Sequence, residues 1–173
     1  MTALLTRRHV IGIGCLLAAG ARPGTAADRI DIAMQGTKDG ARVWFEPVGV
    51  HAAPGAVIRW TNRDAGNSHT ATAYHPANDG HPLRMPAGAA PWNSDYLLPG
   101  ESFEVTLTVE GVYDYFCQPH EMAGMAGRIL VGKPPASGFW TSHPTDLPAE
   151  VQATLPRIED ILTSGRVDRP LQL

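Results

Sequence analysis

The segment ESFEVTLTVEGVYDYF, residues 101–116, constrains the fold more than any other part of the chain. Apolar residues alternate with polar ones, the period of a strand with one buried face, at Phe103, Val105, Leu107 and Val109. The dipeptide Glu110-Gly111 is a turn signal, and a second run of β-branched and aromatic residues follows it. The segment therefore predicts two adjacent strands whose apolar face is buried in an all-β fold.

Similar short runs recur between residues 29 and 131, each ended by a turn rich in Gly, Pro, Asn or Asp. The chain contains 18 Gly and 15 Pro, and only 18% of it is charged, which favours strands and turns over long helices. About seven or eight strands are expected, as in an antiparallel β-sandwich or barrel. A length of 173 residues suits one such domain, which we expect to span residues 28–132.

Residues 133–173 follow a different pattern, with a Pro-rich connector and then a short helical tail. Apolar residues recur there at steps of three and four, as on one face of a helix, at Leu147, Val151, Leu155, Ile158, Ile161 and Leu162. Pro156 is expected to split or kink this helix, and Gly165 to end it. The stripe either covers a flank of the β domain or docks a partner or second subunit.

Residues 1–27 have the basic start, apolar middle and small-residue end of an export signal. Arg7-Arg8 resembles the twin-arginine signal, so we expect export to the periplasm and cleavage near Ala26 or Ala27. A membrane anchor is the alternative, but the apolar run of about 12 residues is shorter than the roughly 20 needed to span a bilayer. A lipoprotein cysteine at Cys15 is a third interpretation.

Charge and cysteine content limit the functions that are possible for residues 28–173. Residues 1–27 hold three of the 14 basic residues and no acidic one, which leaves 11 basic against 17 acidic residues and a net charge of −6. This balance gives no support to nucleic-acid or anionic-membrane binding, and we expect no stable membrane insertion once the signal is removed. Cys117 is then the only thiol, and an unpaired thiol in an oxidising compartment needs another explanation.

The explanation lies in the spacing Cys-x2-His-x4-Met of Cys117, His120 and Met125, which has a predicted strand on each side. A thiolate, two imidazoles and a distant thioether are the donors of electron-transfer copper sites, and His69 can supply the second imidazole from 48 residues upstream. The alternative is a buried thiol in the core with an unrelated histidine and methionine nearby. The joint spacing favours the metal site.

Residues 100–131, with GVYDYFCQPHEMAGMAGRILV at their end, resemble the C-terminal half of plastocyanins and related cupredoxins. WTNRDAGNSHTATA resembles the segment that delivers the first histidine of that family, and FEPVGVHAAPGAVIRW the strand pair before it. The resemblance implies a Greek-key β-sandwich that holds one type 1 copper, with ligands that map to His69, Cys117, His120 and Met125. The family's methionine follows its cysteine by eight residues, as Met125 does and Met122 does not.

The resemblance implies a protein that carries single electrons between Cu(I) and Cu(II) states and is not an enzyme. Its partners would be redox proteins, such as a c-type cytochrome or a copper enzyme, docking around His120 and Met122. Pro119, Ala123 and Gly124 would complete an apolar rim. Copper buffering, delivery or tolerance is the alternative, and a redox enzyme such as a nitrite reductase would need a second copper site and usually more domains.

Three features depart from plastocyanin. Thr70 stands where the family commonly has an Asn that steadies the ligand loop, so the Thr70 hydroxyl is expected to take over this role. The loop 74–99 is unlike that of plastocyanin, and the residues after 133 have no match there. Four further histidines are expected to be ordinary surface residues, although a second metal site among them stays open: His51, His75, His81 and His143.

Overall fold

The computed structural model describes residues 28–133 and 146–169. The predicted export signal, Cys15 and His143 lie outside these ranges. Within the described residues one sheet has the strand order β2-β1-β4-β6. Its strands are β1 at Arg29–Gly36, β2 at Val43–Glu46, β4 at Ala56–Asn62 and β6 at Ser102–Leu107.

The second sheet has the order β5-β7-β8-β3-β9. Its strands are β3 at Gly49–Ala52, β5 at Thr72–Ala73, β7 at Gly111–Phe116, β8 at Ala126–Val131 and β9 at Arg166–Val167. The two sheets pack face to face, which confirms the β-sandwich expected from the alternating segments. The predicted strand SHTATAY is mostly replaced by loop, and only Thr72 and Ala73 pair with β7.

The sheets are mixed, whereas the sequence pattern predicted antiparallel pairing. β1 runs parallel to β4, and β3 runs parallel to β8, while the other strand pairs are antiparallel. Parallel pairing follows from connectivity, because the chain crosses to the second sheet at β3 before it returns to lie beside β1 as β4. Strand periodicity is the same for both directions, so the sequence could not distinguish them.

The main core lies between the sheets and is rich in aromatic residues. The Trp60 ring packs edge-on against Tyr115, and Phe45 makes a similar contact with Tyr115 from the other side. All three side chains are fully buried. Cys117 and Met125 belong to the same apolar cluster, so the end of the core continues directly into the candidate metal centre.

The described part of the C-terminal extension, residues 146–169, packs on the outer face of the second sheet. Its helices are α1 at Ala149–Thr154 and α2 at Ile158–Ser164, separated at Pro156 as expected. Val151 of α1 packs with Tyr74 and Phe116, and Ile161 of α2 packs with strand residues of β7 and β8. β7 and β8 are therefore buried on both faces.

This packing confirms that the stripe covers a flank of the β domain. Leu162 is an exception to the predicted stripe, because it is 45% exposed. Gly165 ends α2 in the left-handed conformation, as its position predicted. No helix in the described parts of the chain is long and apolar enough to cross a membrane.

A buried ion cluster ties the extension to the sheet. The Asp114 carboxylate on β7 accepts hydrogen bonds from Arg84 at 3.0 Å and from Arg128 on β8 at 2.7 and 3.0 Å. Arg128 also donates to the Pro156 carbonyl oxygen at 2.7 Å, between α1 and α2. This hydrogen bond therefore links the buried ion cluster on β7 and β8 to the segment between α1 and α2.

Candidate metal centre

The segment 117–125, which we call the ligand loop, connects β7 to β8. Cys117 directly follows β7, and Gln118–Ala123 form a 3₁₀ turn that contains His120. Three backbone hydrogen bonds close the loop: His120 N–H to Cys117 O at 3.0 Å, Met125 N–H to His120 O at 3.1 Å, and Cys117 N–H to Met125 O at 3.0 Å. The loop therefore holds its three candidate ligands in fixed positions relative to one another.

His69 lies near the ligand loop although it is 48 residues before Cys117 in the sequence. It lies just before β5 and pairs with Leu97 through two backbone hydrogen bonds, at 3.1 and 2.8 Å. Its side chain is fully buried. Three residues further on, Thr72 of β5 pairs with Phe116 of β7, next to Cys117, and this pairing brings His69 close to the ligand loop.

Three donor atoms converge at this point. The Cys117 Sγ lies 3.6 Å from His69 Nδ1 and 3.4 Å from His120 Nδ1, and the two Nδ1 atoms are 3.2 Å apart. Around one ion, nitrogen donors at about 2.0 Å and sulfur at about 2.3 Å would lie at separations close to these. The three residues form the only such cluster of His, Cys, Asp and Glu among residues 28–133 and 146–169.

The two methionines of the ligand loop occupy different environments. Met125 is fully buried in the same apolar cluster as Cys117, and its carbonyl oxygen bonds to the Cys117 amide. Met122 is 71% exposed. The position of Met125 is compatible with the predicted axial thioether, whereas that of Met122 is not.

The thiol of Cys117 is strongly desolvated. Burial raises the pKa of Cys117 to about 11, although hydrogen bonds from Thr70 oppose this shift. The Thr70 amide is one of these donors, at 3.3 Å from Sγ. The metal-free thiol therefore keeps its proton at neutral pH, and a metal ion must displace that proton to bind sulfur.

Both imidazoles are neutral donors at neutral pH. Burial lowers the pKa of His69, against the opposing effect of Asp64, and burial together with His69 lowers the pKa of His120. Neutral imidazole is the form that coordinates a metal. The site thus offers two neutral nitrogens and one sulfur in a water-poor environment.

Asp64 is a residue of the site that the sequence analysis missed. Its Oδ2 lies 3.0 Å from His69 Nε2 and accepts a hydrogen bond from it. This leaves His69 Nδ1 unprotonated and able to bind a metal. Burial raises the pKa of Asp64, but hydrogen bonds from Asn67, Gly66 and His69 outweigh it and the net pKa is lowered. A Cβ at Gly36 would overlap the Asp64 carboxylate, so only glycine fits there.

The signal for Asp64 was present in RDAGNSH, where an acidic residue opens a turn five positions before the histidine. Asx turns are common, however, and nothing local shows that this carboxylate turns back towards the ring.

The Thr70 hydroxyl takes the role expected of it. Its Oγ1 accepts a hydrogen bond from the Gln118 amide at 2.9 Å and so joins the His69 segment to the ligand loop.

The surface above the centre differs in one respect from the expected rim. His120 is partly exposed, and Pro119, Met122 and Ala123 are exposed around it. Gly124 is buried instead, because α1 lies against it; an added Cβ there would be 2.9 Å from Glu150 O. The extension therefore limits the apolar rim on that side.

The other described histidines do not join the cluster. His51 Nε2 lies 2.8 Å from Gly132 O, and His75 Nδ1 accepts a hydrogen bond from the Ala77 amide at 3.0 Å. His81 Nε2 lies 3.2 Å from a carboxylate oxygen of Glu121. None of the three lies in a group of metal donors within the described residues.

Comparison with known proteins agrees with this donor set. The family described as "Copper binding proteins, plastocyanin/azurin family" matches residues 32–132. The plastocyanin of Scenedesmus fuscus is 34% identical over 105 residues, which are 58% of this chain and 99% of the relative. The chloroplastic plastocyanin of Tetradesmus obliquus is 39% identical over 100 residues, 56% of this chain and 63% of the relative, so the chain spans less than two thirds of that protein.

A solved structure of a pseudoazurin from Sinorhizobium meliltoi is similar with a TM-score of 0.54 and 26% identity, over 80% of this chain and 98% of that chain. The chain therefore belongs to the plastocyanin/azurin family of copper-binding proteins. The expected cupredoxin fold and the copper cofactor are confirmed. Members of the plastocyanin/pseudoazurin family are electron carriers and not enzymes, which agrees with the expectation from sequence.

Proposed function

We propose that this protein carries single electrons between redox partners through one type 1 copper held by His69, Cys117, His120 and Met125. The observation that carries the proposal is the convergence of one buried thiol and two imidazole nitrogens within 3.6 Å of one another. Copper bound there supplies a one-electron couple, Cu(I)/Cu(II).

Each residue has a distinct role in this proposal. Cys117 would bind copper as the thiolate, His69 and His120 would bind it through their Nδ1 atoms, and Met125 would supply a weak thioether donor that favours the reduced state. The three donor atoms lie within 3.6 Å of one another, and the backbone bonds of the ligand loop restrict their movement. A site that changes little between its oxidation states suits rapid electron transfer.

The partly exposed edge of His120 is the route for the electron. It lies among the exposed apolar residues Pro119, Met122 and Ala123, which form a small surface suited to weak and short-lived encounters. We expect the partners to be redox proteins, such as a c-type cytochrome or a copper enzyme.

The proposal also assigns a role to each part of the chain. Residues 28–132 form the copper domain, residues 133–173 the extension, and residues 1–27 a twin-arginine export signal that is removed in the periplasm. Replacing Arg7 and Arg8 together by Lys should leave the protein in the cytoplasm, whereas replacing Arg22 by Lys should not. Equal export of both variants would contradict the twin-arginine route.

The copper form tests the electron-carrier function. We expect one copper per chain, an intense visible band from thiolate-to-copper charge transfer, and a reversible potential. Cys117→Ser should abolish the band, and His51→Ala, which changes an exposed histidine outside the cluster, should keep it. A colourless copper form would contradict the ligand set. Two or more coppers per chain, or ready release to a chelator, would favour copper buffering or delivery instead.

A further inference from the structure

Thr70 makes two contacts with the segment that carries Cys117. Its amide donates to Cys117 Sγ at 3.3 Å, and its Oγ1 accepts from the Gln118 amide at 2.9 Å. Thr70 is fully buried. Whatever fixes the Thr70 side chain therefore also fixes the residue that follows the thiol.

The Thr70 hydroxyl belongs to a longer chain of hydrogen bonds. Thr70 Oγ1 lies 3.0 Å from Thr72 Oγ1, and Thr72 Oγ1 lies 3.1 Å from Asn93 Oδ1. The Asn93 amide also faces Gln118, with Nδ2 at 3.4 Å from Oε1. The chain of hydrogen bonds thus begins at the Gln118 backbone amide in the ligand loop and ends at the Gln118 side chain.

The direction of every hydrogen bond in this chain is determined by its neighbours. The Asp95 amide donates to Asn93 Oδ1 at 3.0 Å, which identifies that atom as the acceptor. Thr72 must then give its only hydroxyl hydrogen to Asn93, so it accepts from Thr70. Gln118 Nε2 donates to the Asp79 carboxylate at 3.0 Å, which leaves Oε1 to accept from Asn93.

The result is a polarised ring in which each hydroxyl accepts on one side and donates on the other. Because hydrogen bonds in such a chain strengthen one another, loss of a distant member weakens the bond between Thr70 and the Gln118 amide. Asn93 lies in the loop 74–99, whose sequence is unlike that of plastocyanin. This loop therefore contributes to the metal centre without providing a ligand.

We propose that the Thr70–Thr72–Asn93 hydroxyl relay is a positioning device that holds Gln118 and the thiol of Cys117 in place and thereby sets the reduction potential of the centre. This inference rests on the proposed ligation by Cys117. The physical link is the hydrogen bond from the Thr70 amide to sulfur, because hydrogen bonds to a ligating sulfur tune the potential of a copper site.

The decisive variant is Thr72→Val, which removes the middle hydroxyl, keeps the branched shape and touches no ligand. We expect the equilibrium constant for electron exchange with a reference redox protein to change by roughly fivefold, the value of one neutral hydrogen bond. The visible band should shift, and the Gln118 amide of the metal-free protein should exchange faster with solvent. Thr72→Ser should restore all three properties.

The matched control is Thr61→Val. The Thr61 and Ser102 hydroxyl oxygens lie 2.8 Å apart and so form a comparable pair, and neither residue is a candidate ligand. We expect it to lower stability without moving the potential. If Thr72→Val behaves like Thr61→Val in all readouts, the relay serves only to satisfy buried hydroxyls and the proposal is overturned.

A second variant covers the case in which Thr72→Val does not fold. Asn93→Ala removes the exposed end of the relay, and we expect the same changes with smaller size. Hydrogen exchange at Gln118 needs no metal, so it tests the relay even if the wild-type protein fails to form a coloured copper site. An unchanged Gln118 amide in both variants would refute the proposal, whereas a colourless wild type would refute the proposed function.

Discussion

The carboxylate of Asp64 accepts a hydrogen bond from His69 Nε2 at 3.0 Å, while His69 Nδ1 faces Cys117 Sγ on the other edge of the ring. One imidazole thus connects a buried negative charge to the metal centre. Asp64 is itself held by the Gly66 amide at 2.9 Å and the Asn67 side chain at 2.8 Å, so the carboxylate cannot turn away easily.

Asp64→Asn should raise the reduction potential of the copper form. The carboxylate stabilises the more positive oxidised state, and its loss is worth about 1–2 kcal/mol at an effective dielectric constant of about 20, or on the order of 50 mV for one electron. Voltammetry measures the shift. Asp28→Asn, at the opposite end of the sheet, should move the potential far less. An unchanged potential in Asp64→Asn would show that the charge is screened.

Met125→Ala should change both stability and the copper spectrum. The buried side chain leaves a cavity that costs about 2–5 kcal/mol, and loss of the thioether should alter both the visible band and the reduction potential. Met34→Ala is the matched control, because Met34 is equally buried and lies in the same core. It should lose stability and keep the spectrum. Equal spectra in the two variants would mean that Met125 is only a core residue.

Met122→Ala should slow electron transfer without changing stability or the copper spectrum. Met122 is 71% exposed, so its removal should leave the melting temperature and the visible band unchanged. Electron transfer to a redox partner should become slower, as stopped-flow kinetics would show. A shifted visible band would instead place Met122, rather than Met125, at the metal.

Gly124→Ala should loosen the C-terminal extension. Gly124 has φ of 76°, and an added Cβ would lie 2.9 Å from Glu150 O and 3.0 Å from Thr154 Oγ1 of α1. Gly80 has a similar φ of 74° with nothing within 4 Å of an added Cβ. In both variants the free energy of unfolding should fall by about 1–2 kcal/mol, because alanine is strained in the left-handed conformation. Gly124→Ala should lower it further and expose the α1 amides to hydrogen exchange. Equal stability and exchange in the two variants would mean that α1 shifts to accommodate the added Cβ.

Glu46→Gln should stabilise the protein at neutral pH. Burial and then the neighbouring Asp168 raise the pKa of Glu46, and the pKa of Asp168 is lowered by hydrogen bonding to Glu46. A raised carboxyl pKa contributes stability that is complete below the unfolded value of about 4.3 and is lost as pH rises through the folded value. The lowered pKa of Asp168 contributes stability that is lost mainly as pH falls below its ordinary value of 3.8, so it changes little between pH 4 and pH 7.

Melting temperatures at pH 4 and pH 7 test this linkage. Glu46→Gln should match the wild type near pH 4 and exceed it at pH 7, because glutamine stays neutral. A gain that is the same at both pH values would exclude ionisation of Glu46 as its cause.

The sequence was sufficient to predict most of the strands and to indicate the candidate ligands. Alternation specified the buried face of β6, and the spacing of Cys117, His120 and Met125 indicated one strand–loop–strand unit because a short loop can bring its ends to one point. His69 could be chosen because it follows a predicted strand and turn. These are properties of neighbouring residues, which backbone geometry fixes locally.

Only the tertiary structure decided which distant residues serve the centre. The bond of Asn93 to Thr72 and the burial of Gly124 beneath α1 join segments whose separation leaves no periodic signal. Asp64 is only five residues from His69, but its contact depends on how the intervening turn folds back. The same holds for the parallel pairing of β1 with β4, because a strand's own pattern does not record its direction. Local sequence therefore determined the elements and the ligand spacing, whereas the hydrogen bonds that surround the ligands depend on how those elements pack together.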